Sequence, residues 1–224
     1  MLPFEFRLLI EQTLLVYAAL FPIINPVGGA PVFLAMTRGV DDARRAALAR
    51  RVAMNAFLLV LASMLGGSYV IEFFGLSVPV IQIGGGVLVC SVAWDLLRAE
   101  DITVPDTKLQ PAANLAARAF YPMTLPLTVG PGTIAVAITL GAQAPRGLRP
   151  FALLLAAGTL GALLLAATIY FLYGNAERLT RRLGVTGTSV LLRLSAFILL
   201  CIGVQIMWNG LSTLLGTVPT IRPR

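Results

Sequence analysis

Histidine is absent from this chain, and cysteine occurs only twice, at Cys90 and Cys201. The first absence removes the commonest metal ligand and the commonest general base. Two cysteines inside apolar runs make no disulfide framework and read as small buried residues. Charge is scarce too: 12% of 224 residues are charged while 58% are hydrophobic, against about 25% charged in a soluble domain. The balance is basic, seventeen Lys and Arg against ten Asp and Glu. Those residues lie in short segments between apolar runs and form no basic stripe interleaved with aromatics, which argues against nucleic acid as a partner. No buried carboxylate pair, reactive cysteine setting or metal-ligand cluster appears. Neither an enzyme, a bound metal nor a resident cofactor is expected. The first residues carry Glu5, Arg7 and Glu11 and do not read as the basic start of a cleavable leader.

What the chain does have is apolar runs longer than the ~18 residues needed to cross a bilayer. Residues 1–11 read as an amphipathic lead-in at the interface. Six spans are expected, at about 12–37, 52–74, 78–98, 119–141, 151–173 and 190–215. Residues 99–118 read as a cytoplasmic linker between the halves 1–98 and 119–224, and residues 174–189 as a segment on the membrane surface. With the N-terminus outside, the inner loops hold eleven Lys and Arg and the outer segments five. The positive-inside bias therefore places both termini outside.

Two of the spans are interrupted. Asn25-Pro26-Val27-Gly28-Gly29-Ala30-Pro31 breaks the first, and Gly130-Pro131-Gly132-Thr133 breaks the fourth. Asn is a favoured N-cap and Pro suits the first helical position, so each break reads as a helix stop followed by a restart. The restarted helix exposes amides carrying the positive end of its dipole. A single break of this kind reads more readily as a Pro kink. A pair at matching places in two halves points to a transporter binding site near the bilayer midplane.

The halves share an order of features: break, hairpin, polar-led last span. Pro26 and Pro131 are 105 residues apart, and the segment from Ile81 aligns with that from Leu192 at an offset of 111. Three spans per half make the repeat inverted, so the two half-helix N-termini approach the midplane from opposite sides and can face one small anion. Candidate substrate contacts are Asn25, Pro26, Gly28 and Gly29 at the first break, and Thr128, Gly130, Pro131, Gly132 and Thr133 at the second. Gln82 and its repeat partner Arg193 lead the third and sixth spans. Arg193 reads as a counter-ion or as a side chain snorkelling to the interface, and each threonine as a substrate contact or as bonded back to its own helix. Gly84-Gly85-Gly86 allow close helix packing or local unwinding. Asn55 and Gln205 are candidates for bonds between helices. Unwound carbonyls at a break can also bind a coupling ion, whose identity stays open.

These residues resemble the MarC family of bacterial membrane proteins. The resemblance rests on Asn25-Pro26-Val27-Gly28 with Pro31, on Pro126-Leu127 with Gly130-Pro131-Gly132-Thr133-Ile134, and on the Gly75-led hairpin. It covers about residues 8–215. It implies six spans in the inner membrane, a plan like that of elevator-type transporters, and export of small neutral amino acids. The family pattern falls on Asn25, Pro26, Gly28, Pro31, Gly130, Pro131, Gly132 and Arg193. The chain departs from it with Gln82 where an arginine is expected, and with Ser195-Ala196 where a glycine is. The expected function is thus a secondary transporter of small zwitterions, embedded in lipid and possible as a homo-oligomer. A channel and a non-transporting membrane subunit are the alternatives.

Overall fold

The computed structural model describes residues 4–98, 118–142 and 148–216, and the described residues are helical throughout. The linker expected at 99–118 lies outside them except for Arg118. Helix α1 (Phe4–Ile24) begins well before residue 12, so the described part of the lead-in is the first turns of the same helix. Asn25 separates it from α2 (Pro26–Met36). Helix α3 (Asp42–Phe73) also starts early, because Asp41 caps it: its side chain accepts from the Arg44 amide at 2.9 Å. The basic segment read as a loop is therefore largely its first turns. Helix α4 (Val78–Arg98) follows a turn in which Gly75 takes a φ of +68°, and it runs unbroken through its three glycines.

Helix α5 (Ala119–Thr128) is irregular. Pro122 and Pro126 supply no N–H, and Tyr121 and Leu125 are extended. Hydroxyls replace the lost donors: Thr124 Oγ1 donates to the Ala119 carbonyl at 2.6 Å and Thr128 Oγ1 to that of Met123 at 2.8 Å. After Val129 and Gly130 comes α6 (Pro131–Ala142), bent 71° from α5. Helix α7 (Leu148–Gly174) leads into α8 (Ala176–Gly216), which breaks at Gly184, where φ is +68°. The part of α8 before that glycine carries Glu177, Arg178, Arg181 and Arg182, all exposed. Five helices are long and apolar enough to cross a membrane, six when α5 and α6 count as one bent span. Large apolar side chains such as Leu58, Val87, Leu163 and Val204 are exposed around the bundle, as faces turned to lipid require.

The main core gathers Val16, Leu20, Phe33, Val52, Val60, Leu165 and Tyr173, from α1, α2, α3 and α7. Helices α4 and α8 pack side by side around Val89, Ala93 and Leu199. A methyl on Gly86 would lie 2.7 Å from the Gly203 carbonyl, and one on Gly203 would lie 3.0 Å from the Gly86 carbonyl. Of the two readings of the glycine run, close packing is the one realised. The contacts also pair off between the halves: α3 on α6 with α7 on α2, α1 on α7 with α5 on α3, and α4 on α6 with α8 on α2.

Candidate functional site

The two breaks line one cavity of about 300 Å³. Asn25, Gly28 and Gly29 border it from the first, and Thr128, Gly130, Pro131, Gly132 and Thr133 from the second. Three expected residues stand apart. Pro26 is buried in the first turn of α2. Gln82 packs along α8, its Cβ 3.0 Å from where a methyl on Gly210 would lie. Arg193 is exposed; its neighbour Leu192 lines the cavity instead, so the side chain expected as a counter-ion faces away from it. Helical rotation explains this, since adjacent residues lie about 100° apart around an α-helix. Outward exposure matches the snorkelling alternative.

The two helix starts differ. Asn25 adopts left-handed backbone (φ 47°, ψ 56°), which Asn tolerates better than most residues. Its Oδ1 accepts the Gly28 amide at 3.1 Å and its carbonyl the Gly29 amide at 2.8 Å. The first break was expected to leave these amides bare; they are capped instead. A methyl on Gly28 would fall 2.5 Å from Asn25 Nδ2, so the cap needs glycine there. At the second break Gly130 has no side chain to cap with. Its carbonyl accepts from the Ile134 amide at 3.1 Å. The Thr133 side chain is 1% exposed, lines the cavity and makes no hydrogen bond among the described residues. Thr128, by contrast, is bonded back to Met123, as its structural alternative had it.

The sequence reading missed Tyr173. It is fully buried, stacks on Phe33 with centroids 4.7 Å apart, and its hydroxyl lies 3.0 Å from Thr128 Oγ1. A methyl on Gly29 would sit 2.5 Å from that hydroxyl. One side chain of α7 thus spaces α2 from α5 beside the cavity. Asn55 bridges helices as expected, donating to Thr124 Oγ1 at 3.3 Å, whereas Gln205 bonds Asn209 within its own helix.

The rest of the wall is apolar: Ile23, Val32, Val89, Leu127 and Leu199 among others, with no charged side chain. From the breaks the cavity continues past Met36 of α2, Leu96 of α4, Pro122 of α5 and Leu192 of α8. All four lie toward the end of the bundle that carries Arg38 and Arg44. Beyond the breaks the helices pack closely: added methyls would meet Val89 at Gly132 and Ala135 at Gly85. The site is a pocket of small volume, apolar walls and few polar groups, the usual form of a small-molecule site.

Residues 10–215 match the model of the MarC family, described as integral membrane proteins. Relatives include a UPF0056 membrane protein of Methanocaldococcus jannaschii, 29% identical over 203 residues, covering 90% of this chain and 97% of the relative. YvbG of Bacillus subtilis, a membrane protein, is 27% identical over 199 residues, covering 88% and 92%. The inner membrane protein MarC of Escherichia coli K12 is 29% identical over 209 residues, covering 88% and 93%. No solved structure matches. Matched from the first broken helix to the end of α8, the chain belongs to the MarC family of integral membrane proteins.

Proposed function

We propose that this chain is a secondary transporter of small neutral amino acids or similar zwitterions, working by alternating access in the cytoplasmic membrane. The observation that carries this reading is the convergence of two helix N-termini on one uncharged cavity. The uncapped start of α6 presents roughly half a positive charge to the cavity, and the capped start of α2 adds a smaller share, which favours a single carboxylate there. The carboxylate rests on the uncapped amides of Gly132 and Thr133 with the Thr133 hydroxyl, and Asn25 Nδ2 reaches it from the first break. A small side chain packs against Ile23, Val32 and Val89. A cavity of about 300 Å³ lies at the lower end of the range for ligand sites, which suits a small solute.

The paired contacts between the halves support an inverted repeat of three spans each. The cavity opens toward the basic loops, which the arginine bias assigns to the cytoplasm, so this conformation is the inward-facing one with both termini outside. Movement of the broken-helix elements against the rest opens the other side, in the manner of elevator-type carriers, and export is the direction we assign. The apolar lining of the cavity and the close helix packing beyond the breaks disfavour a channel, which needs a continuous polar path. The role is carriage rather than catalysis. Proteoliposomes holding purified protein are expected to exchange alanine or glycine across the bilayer at carrier rates. Absence of flux for every small neutral amino acid would remove the proposal, and channel-like conductance would replace it.

A further inference from the structure

Two side chains on the outer face of α8 differ from those around them. Gln205 and Asn209 are exposed one turn apart, on a face shared with Cys201, Val204 and Trp208. Their depth follows from the packing. Gly132 at the second break lies against Val89 of α4, and Gly86 of α4 lies against Gly203 of α8. The level of the breaks therefore crosses α8 near residue 200. At 1.5 Å per residue, Gln205 sits ~7 Å and Asn209 ~14 Å beyond that level. The hydrocarbon layer is about 30 Å thick, so the first amide lies inside it and the second at its edge.

Hydrocarbon offers no hydrogen bonds, and an amide there takes its partners from protein. Each amide has an NH₂ donor and a carbonyl acceptor. Gln205 Nε2 donates to Asn209 Oδ1 at 2.8 Å. That bond leaves the Gln205 Oε1 acceptor and the Asn209 Nδ2 donors without a partner among the described residues. The leftover pair is self-complementary.

We propose that this face of α8 is the contact between two copies of the chain, related by a two-fold axis along the membrane normal. The axis sets the two α8 helices parallel and at equal depth. Asn209 Nδ2 of each copy then donates to Gln205 Oε1 of the other, closing four amides into a ring. A surface that complements itself in this way is what an isologous dimer requires. At the depth of Gln205 lipid cannot complete the pattern, because acyl chains neither donate nor accept. The inference does not rest on the transport reading and stands whether or not a solute moves.

Cys201 supplies the test, since it lies one turn from Gln205 and the axis brings the two Cys201 side chains to the same depth. Full-length protein with Cys90→Ala is reconstituted at low density in phosphatidylethanolamine–phosphatidylglycerol vesicles and treated with a membrane-permeant oxidant. A disulfide-linked dimer is expected. Adding Gln205→Leu and Asn209→Leu is expected to cut its yield about tenfold, with melting temperature unchanged to show that the chain still folds. The reference is a single cysteine on another lipid-facing helix, Leu163→Cys in a chain with Cys90→Ala and Cys201→Ala; Leu163 is 54% exposed on α7. If Cys201 crosslinks no more than this reference, or if the leucine pair leaves the yield intact, the dimer face is wrong.

Discussion

Replacing Asn25 separates its two jobs, holding left-handed backbone and capping α2. Asn25→Gly keeps the conformation at no steric cost and loses only the side-chain acceptor at 3.1 Å from the Gly28 amide; exchange of a cap for Gly costs only a few tenths of a kcal/mol. Asn25→Ala loses the cap, worth about 1 kcal/mol, and leaves left-handed backbone to a residue without the local side-chain hydrogen bond that lets Asn tolerate it, which adds roughly 1–2 kcal/mol. The difference is about 2 kcal/mol, or roughly 4–8 °C in melting temperature for a chain of this size. Thermal unfolding in detergent is the assay for stability, with the glycine variant near wild type and the alanine variant clearly below it. Ligand response is measured on the same samples as the rise in melting temperature with added alanine or glycine. Both variants lack Nδ2, and loss of one hydrogen bond to a charged group weakens binding by roughly 10-fold or more. The glycine variant should thus be nearly as stable as wild type and much less responsive. Equal stability of the two variants would refute the backbone argument. A glycine variant with an undiminished ligand response would refute the role of Asn25 in the site.

Further consequences follow from other contacts. Gly29→Ala places a methyl against the Tyr173 hydroxyl and is expected to cost ~1–3 kcal/mol as overpacking. Tyr173→Phe in the same chain removes the obstacle, so the double variant should melt above Gly29→Ala alone; a double-mutant cycle with no coupling would count against the contact. Thr133→Val is nearly isosteric and removes a hydroxyl that bonds nothing in the described protein. Melting temperature should hold or rise while the ligand-induced shift falls, and a large loss of stability would show that the hydroxyl has a structural partner. The Arg45 guanidinium, 11% exposed, joins Asp42 at 2.9 Å and Glu177 at 2.7 Å and donates to the Val40 carbonyl at 2.9 Å. Glu177 is half exposed and Asp42 remains as a partner, so Glu177→Gln should cost under about 1 kcal/mol. Arg45→Ala, which removes the buried hub and strips Glu177 and the Val40 carbonyl of their partner, should lower the melting temperature further; the opposite order would show that the clasp is solvated.

The sequence made the spans legible because crossing a bilayer demands long apolar runs that almost nothing else in a protein requires. It showed the breaks for the same reason, since Asn25-Pro26 and Gly130-Pro131 are interruptions in otherwise uniform text. Boundaries were less visible. Asp41 starts α3 about ten residues before the apolar run, because capping is decided by one side chain and not by hydropathy. The shape of α5 was hidden for a different reason: Pro122 and Pro126 announce lost donors, but not that Thr124 and Thr128 would replace them from five residues away. The sequence left two readings of Arg193 open because a repeat alignment fixes depth along a helix and not rotation about it. Tyr173 left no local signal at all. Its importance lies in Gly29 and Thr128, distant in sequence, whose spacing it sets.

The inequality of the two breaks bears on how a ligand would sit between them. At the first, Asn25 satisfies the Gly28 and Gly29 amides with its own side chain and carbonyl. Helix α2 can therefore persist in an empty cavity without a stranded donor at those two positions. At the second, a residue able to cap as Asn25 does would put an oxygen on the amides at the start of α6 and occupy the place an anion needs. Gly130 leaves that place open, and Thr133, buried and without a partner among the described residues, adds a hydroxyl to it. The cost of the empty state would then fall on α6, and binding of a carboxylate would relieve it there. In the proposed carrier one capped and one uncapped helix start would divide the work: the first would hold the fold, and the second would hold the charge.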